Sequence, residues 1–286
     1  MRNNSKSIKR WQESWWLSLF IFVVVFFASF AIPIVFNYLS VTIYPAIFFF
    51  AGLISNIVVI SAQNYRLWHF FGLVVHKKSL QHLLFGLLLP LVFFIPLLGL
   101  LSFWGISLNS ITFLNVLYYL YFIGFAAAGE ELVFRGVLFQ KLIDKKGEAF
   151  AIFVTSLVFA LLHLMNPNIT LIGFVNIFLA GVVLGLCYVR TSTLWLSIGF
   201  HFGWNFWQKF LLNSRVSGLD WGTSIFQTKI MELNPIIFGG DFGIEGGLVT
   251  TLFLLISAYI VAKKFIPVPE VYSRILREKY TDTPIQ

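Results

Sequence analysis

An all-α, polytopic transmembrane bundle of about eight spans, with both termini cytoplasmic, is predicted by three features of this chain. The first is composition: 58% of the 286 residues are hydrophobic and only 11% are charged, where a soluble domain carries about 25% charged residues. The second is the spacing of apolar runs, most of them close to the ~20 residues that cross a ~30 Å hydrocarbon core. The third is the distribution of lysine and arginine. Sixteen of the twenty fall at the N terminus, in alternate connections and in the C-terminal tail. Three (Lys209, Arg215 and Lys229) fall on the other side, and Arg135 lies inside a span. Basic residues mark cytoplasmic connections, so the bias orients the bundle. It also accounts for the net charge of +8 without nucleic acid as a partner.

The spans are predicted at about 15–36, 41–62, 80–104, 113–142, 148–165, 169–189, 193–212 and 247–265. Arg2, Lys6, Lys9 and Arg10 precede an apolar run too long for a signal-peptide core, which predicts an uncleaved first span. Trp15, Trp16 and Trp104 near span ends suit interfacial belts. Cys187 lies in an apolar run and predicts a packed thiol. His69, His76 and His82 lie in or beside a basic connection and are expected to be solvated there. The longest connection, 213–246, contains the glycine-rich run from Gly239 to Gly247 and the apolar patch Pro235 to Phe238. It reads as an external lid, a shallow re-entrant segment or a flexible loop. Residues 270–280 are expected to form a helix on the inner membrane surface.

Polar groups in three spans carry the functional signal. Glu130 and Glu131 are the only acids between Glu13 and Asp144, and a carboxylate in hydrocarbon costs at least ~3 kcal/mol. Glu131 and Arg135 are four apart, so they share a helix face and neutralise each other. Glu130 is rotated by ~100° and is left for chemistry. Burial raises the pKa of an unpaired carboxyl towards the range a general base needs. A buried ion-pair cluster that only holds helices together is the competing reading of the trio. Phe159 and His163 are four apart, as are His201 and Asn205. Gly199 and Gly203 occupy nearly the opposite face of their span, where another helix can approach, and Gly181 and Gly185 offer a similar face.

Depth agrees with this grouping. Counted from the predicted cytoplasmic turns, Glu130 lies about 20 Å in, His163 about 22 Å, and His201 and Asn205 about 12 and 18 Å. Adjacent helices can bring all four to one layer. With the loop charges, the counts predict a site open to the cytoplasm or the inner leaflet. A glutamate with two histidines and an asparagine suits water activation against a carbonyl: one group takes a proton, another donates one, and a third stabilises the oxyanion. An open zinc site held by Glu130, His163 and His201 is the alternative use of the same residues.

The motifs Glu130-Glu131-Leu-Val-Phe-Arg135, Phe159-Ala-Leu-Leu-His163 and His201-Phe-Gly-Trp-Asn205 stand in order on three spans. Together they resemble the CPBP family of intramembrane proteases, which includes type II CAAX prenyl endopeptidases and bacterial abortive-infection and bacteriocin-immunity proteins. The resemblance covers about residues 110–212. It implies Glu130 as catalytic base, Glu131 as its neighbour, Arg135 as supporting cation, and His163, His201 and Asn205 as the rest of the site, with a metallo or a metal-free glutamate mechanism. It divides the chain into motif-free spans over 1–110, a catalytic core over 111–265 and a cytoplasmic tail over 266–286. It also implies a multi-pass protein of a bacterial, Gram-positive-like cell membrane. Such a protein hydrolyses a membrane-associated peptide, such as a pheromone, a bacteriocin precursor or a CAAX-like tail. The rival implication is a non-catalytic self-immunity protein or a scaffold for a sensor kinase. A proton-coupled transporter ranks below both, since the chain shows no related halves.

Overall fold

The computed structural model describes residues 14–35, 41–61, 72–73, 75, 78–222 and 224–263. The described chain is almost wholly helical. Trp15–Val35 forms α1, Tyr44–Ser61 α2, Ser79–Leu88 α3, Leu91–Leu101 α4, and Phe113–Arg135 α5. Val137–Lys146 forms α6, Glu148–Leu162 α7, Leu171–Thr191 α8, Trp195–Leu212 α9, Pro235–Phe238 α10, and Leu248–Ala262 α11. The strand content of the described residues is two short segments, β1 (Ser107–Leu108) and β2 (Phe226–Gln227), paired antiparallel with Ser107 opposite Gln227. Four helical stretches are long and apolar enough to cross a membrane: Tyr44–Ser61, Ser79–Trp104, Glu148–Met165 and Leu171–Thr191. The chain is a membrane protein of the all-α class. The basic N terminus, the 62–71 connection and the tail helix expected at 270–280 lie outside the described residues.

Two predicted spans are broken. The run 80–104 divides at Leu89-Pro90, because proline supplies no N–H to the preceding turn. The run 113–142 ends its first helix at Arg135 and restarts at Val137. The cause is Asn56, fully buried on α2. Its amide donates to the carbonyls of Gly52 and Leu132 at 2.8 and 2.9 Å, and its Oδ1 accepts from the Val137 N–H at 2.8 Å. A side chain thus replaces the helix's own hydrogen bonds at the break. A Cβ on Gly136 would lie 2.3 Å from Asn56 Oδ1, so only glycine fits.

Close backbone approach builds the rest. The face of Gly199 and Gly203 meets α3: added Cβ atoms would fall 2.3 Å from the Leu83 carbonyl oxygen and 2.5 Å from that of Leu87. Residue numbers rise together along this seam, so α3 and α9 run parallel. Gly181 sits against Ser156 of α7, where an added Cβ would fall 2.9 Å from the Ser156 Cα. Both glycine faces meet neighbours as predicted, and Cys187 is fully buried. His82 departs from expectation: it is buried, not solvated. It lies one turn before Gly86, on the face of α3 that Gly86 presses against α9.

Helix directions give the molecule two ends. One end carries the start of α1 and of α3, the turn between α6 and α7, the turn between α8 and α9, and the close of α11. There Lys141 donates to Ser18 Oγ, the Leu194 N–H donates to the Gly72 carbonyl, and Arg190 reaches the carbonyls of Val261 and Ala262. The opposite end carries the connections 102–112, 163–170 and 213–247. Asn109 N–H donates to the Ile225 carbonyl, and Asn166 Nδ2 to the Ser217 carbonyl.

Candidate active site

Glu131 and Arg135 are both fully buried, and Arg135 Nη1 donates to Glu131 Oε1 at 3.1 Å. Arg135 Nη2 donates to the Gly181 carbonyl at 3.0 Å, and the guanidinium lies 5.3 Å from the centre of the Phe159 ring. The pairing predicted from four-residue spacing is present. A third partner, which spacing does not reveal, joins it. His201 Nδ1 lies 2.9 Å from Glu131 Oε1. A carboxylate oxygen beside a ring nitrogen accepts the N–H, so Nδ1 carries the proton and Nε2 is left as the acceptor. Glu131 therefore orients an imidazole as well as holding a cation.

His201 Nε2 points to the other glutamate, 3.7 Å from Glu130 Oε2. That separation is too long for a hydrogen bond. Among the described residues Glu130 Oε2 accepts none, although the atom is buried. The Glu130 side chain keeps 28% of its surface exposed, where Glu131 keeps 0%. The two adjacent carboxylates on one helix are thus placed differently: Glu131 Oε1 meets both Arg135 and His201 while its Oε2 makes no hydrogen bond among the described residues, and Glu130 lines a cavity.

That cavity measures about 300 Å³. Glu130, His163, His201 and Asn205 all line it, so the structure gathers the four groups that depth counting placed in one layer. His163 closes α7 at its C-cap, with Nδ1 2.7 Å from the Phe159 carbonyl oxygen. A carbonyl only accepts, so Nδ1 again bears the proton and Nε2 is free. The Phe159 ring lies 4.5 Å from that imidazole between centres and 6.1 Å from His201. Asn205, one turn after His201, is buried on the same face. Arg135 and Glu131 lie behind this lining rather than in it.

The 213–247 segment, expected to be a lid, a re-entrant piece or a flexible loop, is folded over one end of the cavity. Gly218 N–H donates to the Phe242 carbonyl, and Asn176 Nδ2 to the carbonyls of Glu245 and Gly247 at 2.7 and 2.9 Å. Gly218 (φ +82°) and Gly243 (φ +96°) adopt left-handed backbone with no room for a Cβ, at 2.1 Å from the Pro167 oxygen and 2.0 Å from the Arg215 oxygen. Sequence reasoning gave Glu245 no role. It is buried, lines the cavity, and accepts from Trp204 Nε1 at 3.1 Å, from Ser217 Oγ at 3.0 Å and from the Ser217 N–H. Burial pushes its carboxyl above the ordinary range, against those hydrogen bonds and the nearby His163. At the outer edge Lys209 Nζ donates to Asp220 at 2.6 Å. Burial opposes ionisation of Asp220, but the lysine overrides it and holds the carboxyl below its usual range. An acid within a glycine-rich run is the one signal by which sequence could have pointed to Glu245.

The cavity rim comes from the end opposite the lysine-rich turn, through Asn166, Ser217, Leu219 and Trp221. The expected opening toward the basic side is not where these residues lie. Glu131 and Arg135, nearer the basic end, are fully buried.

Among the described residues, no three His, Cys, Asp or Glu side chains gather as a metal ion requires. Glu130, His163 and His201, the residues of the zinc alternative, line one cavity but do not form such a group.

Residues 112–207 match the family model for Rce1-like type II CAAX prenyl endopeptidases. The matched segment runs from the capping threonine of α5 into α9 and contains all six site residues. It agrees with the resemblance carried by the three motifs, and the family it matches is one of endopeptidases. No curated protein matches the chain.

Proposed function

We propose that this protein is an intramembrane endopeptidase that uses Glu130 to activate water against a peptide carbonyl of a membrane-associated peptide or small protein. The observation that carries the proposal is the division of labour between the two glutamates. Glu131 is committed to Arg135 and His201, while Glu130 faces a cavity with no hydrogen bond to Oε2. Glu130 takes a proton from water, and the resulting hydroxide adds to the carbonyl carbon. The Asn205 amide donates to the oxygen that becomes negative, His163 Nε2 accepts a hydrogen bond from the attacking water, and Glu130 hands the proton it took to the departing amine while His201 Nε2 takes the second proton. The C–N bond breaks, water's oxygen remains on the new carboxylate, and its two protons are divided between enzyme and amine. Glu131 stabilises positive charge on His201 during the reaction, because its carboxylate already accepts the Nδ1 proton. Phe134, Phe159, Trp204 and Leu254 line the cavity and suit an apolar stretch of substrate.

Comparative peptidomics of cells carrying Glu130→Gln and wild-type protein tests the reading. A peptide cut only in wild-type cells supports it and identifies the substrate. A cellular phenotype that survives Glu130→Gln unchanged replaces proteolysis with a binding role.

A further inference from the structure

We infer that the site is served from the extracytoplasmic side, so that its substrate is a peptide already exported or held in the outer leaflet. This rests on the proteolytic reading for its substrate, but the sidedness rests on geometry and the placement of charge. Among the described residues, Lys78, Lys141, Lys145, Lys146, Arg190 and Lys263 all lie at one end of the bundle. The sequence has further lysines and arginines before Trp15, over 63–77 and after Lys263. A surplus of lysine and arginine in short connections marks the cytoplasmic face. The opposite end holds Lys209, Arg215 and Lys229. Two of these are neutralised, Lys209 by Asp220 and Arg215 by Asp241 at 2.9 Å.

The cavity belongs to that second end. Asn166, Ser217, Leu219, Trp221 and Glu245 come from the 163–170 and 213–247 connections. Position along the helices agrees. His163 stands 15 residues from the start of α7 at the basic turn, about 22 Å along a core of ~30 Å. Leu219 on the rim is 41% exposed, while Arg135, nearer the basic end, is fully buried. A water molecule or peptide approaching from the basic end meets the packed Glu131–Arg135 pair. One approaching from the other end meets the rim.

Cysteine labelling decides sidedness without using activity. In a Cys187→Ala background, Leu219→Cys, Asp241→Cys and Lys145→Cys are each expressed in protoplasts and treated with a membrane-impermeant maleimide. The expected result is labelling of Leu219→Cys and Asp241→Cys in intact protoplasts, with Lys145→Cys labelled only after permeabilisation. Labelling of Lys145→Cys from outside overturns the inference. So does labelling of Asp241→Cys only after permeabilisation. Reaction at Asp241→Cys with none at Leu219→Cys in either state shows a cavity closed to that face, and also overturns it. A reporter peptide anchored in the outer leaflet is then compared with the same peptide on the inner leaflet, with Glu130→Gln as control. Cleavage of the outer reporter alone supports the substrate class, and cleavage of the inner one alone refutes it. Cleavage of neither, with labelling as expected, removes the proteolytic reading and the substrate class and leaves sidedness standing.

Discussion

Replacing each of the two adjacent glutamates by glutamine separates their roles. Glu131→Gln preserves shape but removes the negative charge opposite Arg135, which is fully buried. Breaking one side of a buried ion pair costs about 3–5 kcal/mol. The Gly181 carbonyl and the Phe159 ring still face the guanidinium, so the lower end, about 3 kcal/mol, applies. At roughly 2–4 °C per kcal/mol, that lowers the melting temperature by about 6–12 °C. Glu130→Gln removes a charge from a partly exposed side chain whose Oε2 makes no hydrogen bond, and stability is expected to stay within about 0.5 kcal/mol. Turnover behaves differently. Glu130→Gln loses the base, at least about 10²–10⁴-fold. Glu131→Gln loses turnover and stability together, because His201 loses the carboxylate that fixes its ring. The assay is thermal unfolding in detergent, followed by tryptophan fluorescence, beside peptide cleavage by the same preparations. A Glu131→Gln protein that melts with wild type, or a Glu130→Gln protein that melts well below it, refutes the assignment.

Three further outcomes are expected. Gly199→Ala places a Cβ 2.3 Å from the Leu83 oxygen, and the forced separation of α3 and α9 lowers stability by about 1–3 kcal/mol in a denaturant titration. Asn56→Leu leaves the Val137 N–H and the Leu132 carbonyl without their partner, at about 1–3 kcal/mol for each buried group, and the same titration measures the loss. Protection of the Gly218 and Ile244 amides from hydrogen exchange, corrected for intrinsic rate, depends on pH through two acids. Glu245 has a raised native pKa, so its contribution is complete below the unfolded value of ~4.3 and is lost as pH rises through the native value. Asp220 has a lowered native pKa, so its contribution is complete above ~3.9 and is lost as pH falls through the native value. Protection is therefore greatest in a mildly acidic window, and Glu245→Gln removes its decline toward neutral pH. A flat profile in the wild type contradicts the assignment of Glu245 to the loop's closure.

Local spacing made part of the site legible. Glu131 and Arg135, Phe159 and His163, and the two glycine faces are each set by one turn of helix, and each contact is present in the structure. The family match over residues 112–207 agrees with the same three motifs. What spacing could not supply was contact between distant segments. His201 meets Glu131 across 70 positions, and Asn56 enters the helix break across 76 and 81. An apolar run from 113 to 142 carries no sign that a side chain from α2 will interrupt it. His82 read as solvated because its sequence neighbours are basic, while its fate was decided by Gly86 four residues later. Glu245 was hidden because glycine-rich segments are read for flexibility, and this one is immobilised by hydrogen bonds to α8, α9 and the 214–218 turn.

The interruption at Gly136 ties a leading span to the family-matched segment in a way that bears on excision. Asn56 belongs to a helix with no recognisable motif, yet it sets where α5 stops and so fixes the last turn, on which Arg135 sits. Gly129, beside the two glutamates, packs so closely on Phe48 and Phe49 that a Cβ would fall within 3.0 Å of both. A fragment cut to the family-matched boundaries would lose this brace and free α5 to run on as one continuous rod. The portion that names the chemistry is thus not a transplantable module, because the unremarkable leading spans are its template.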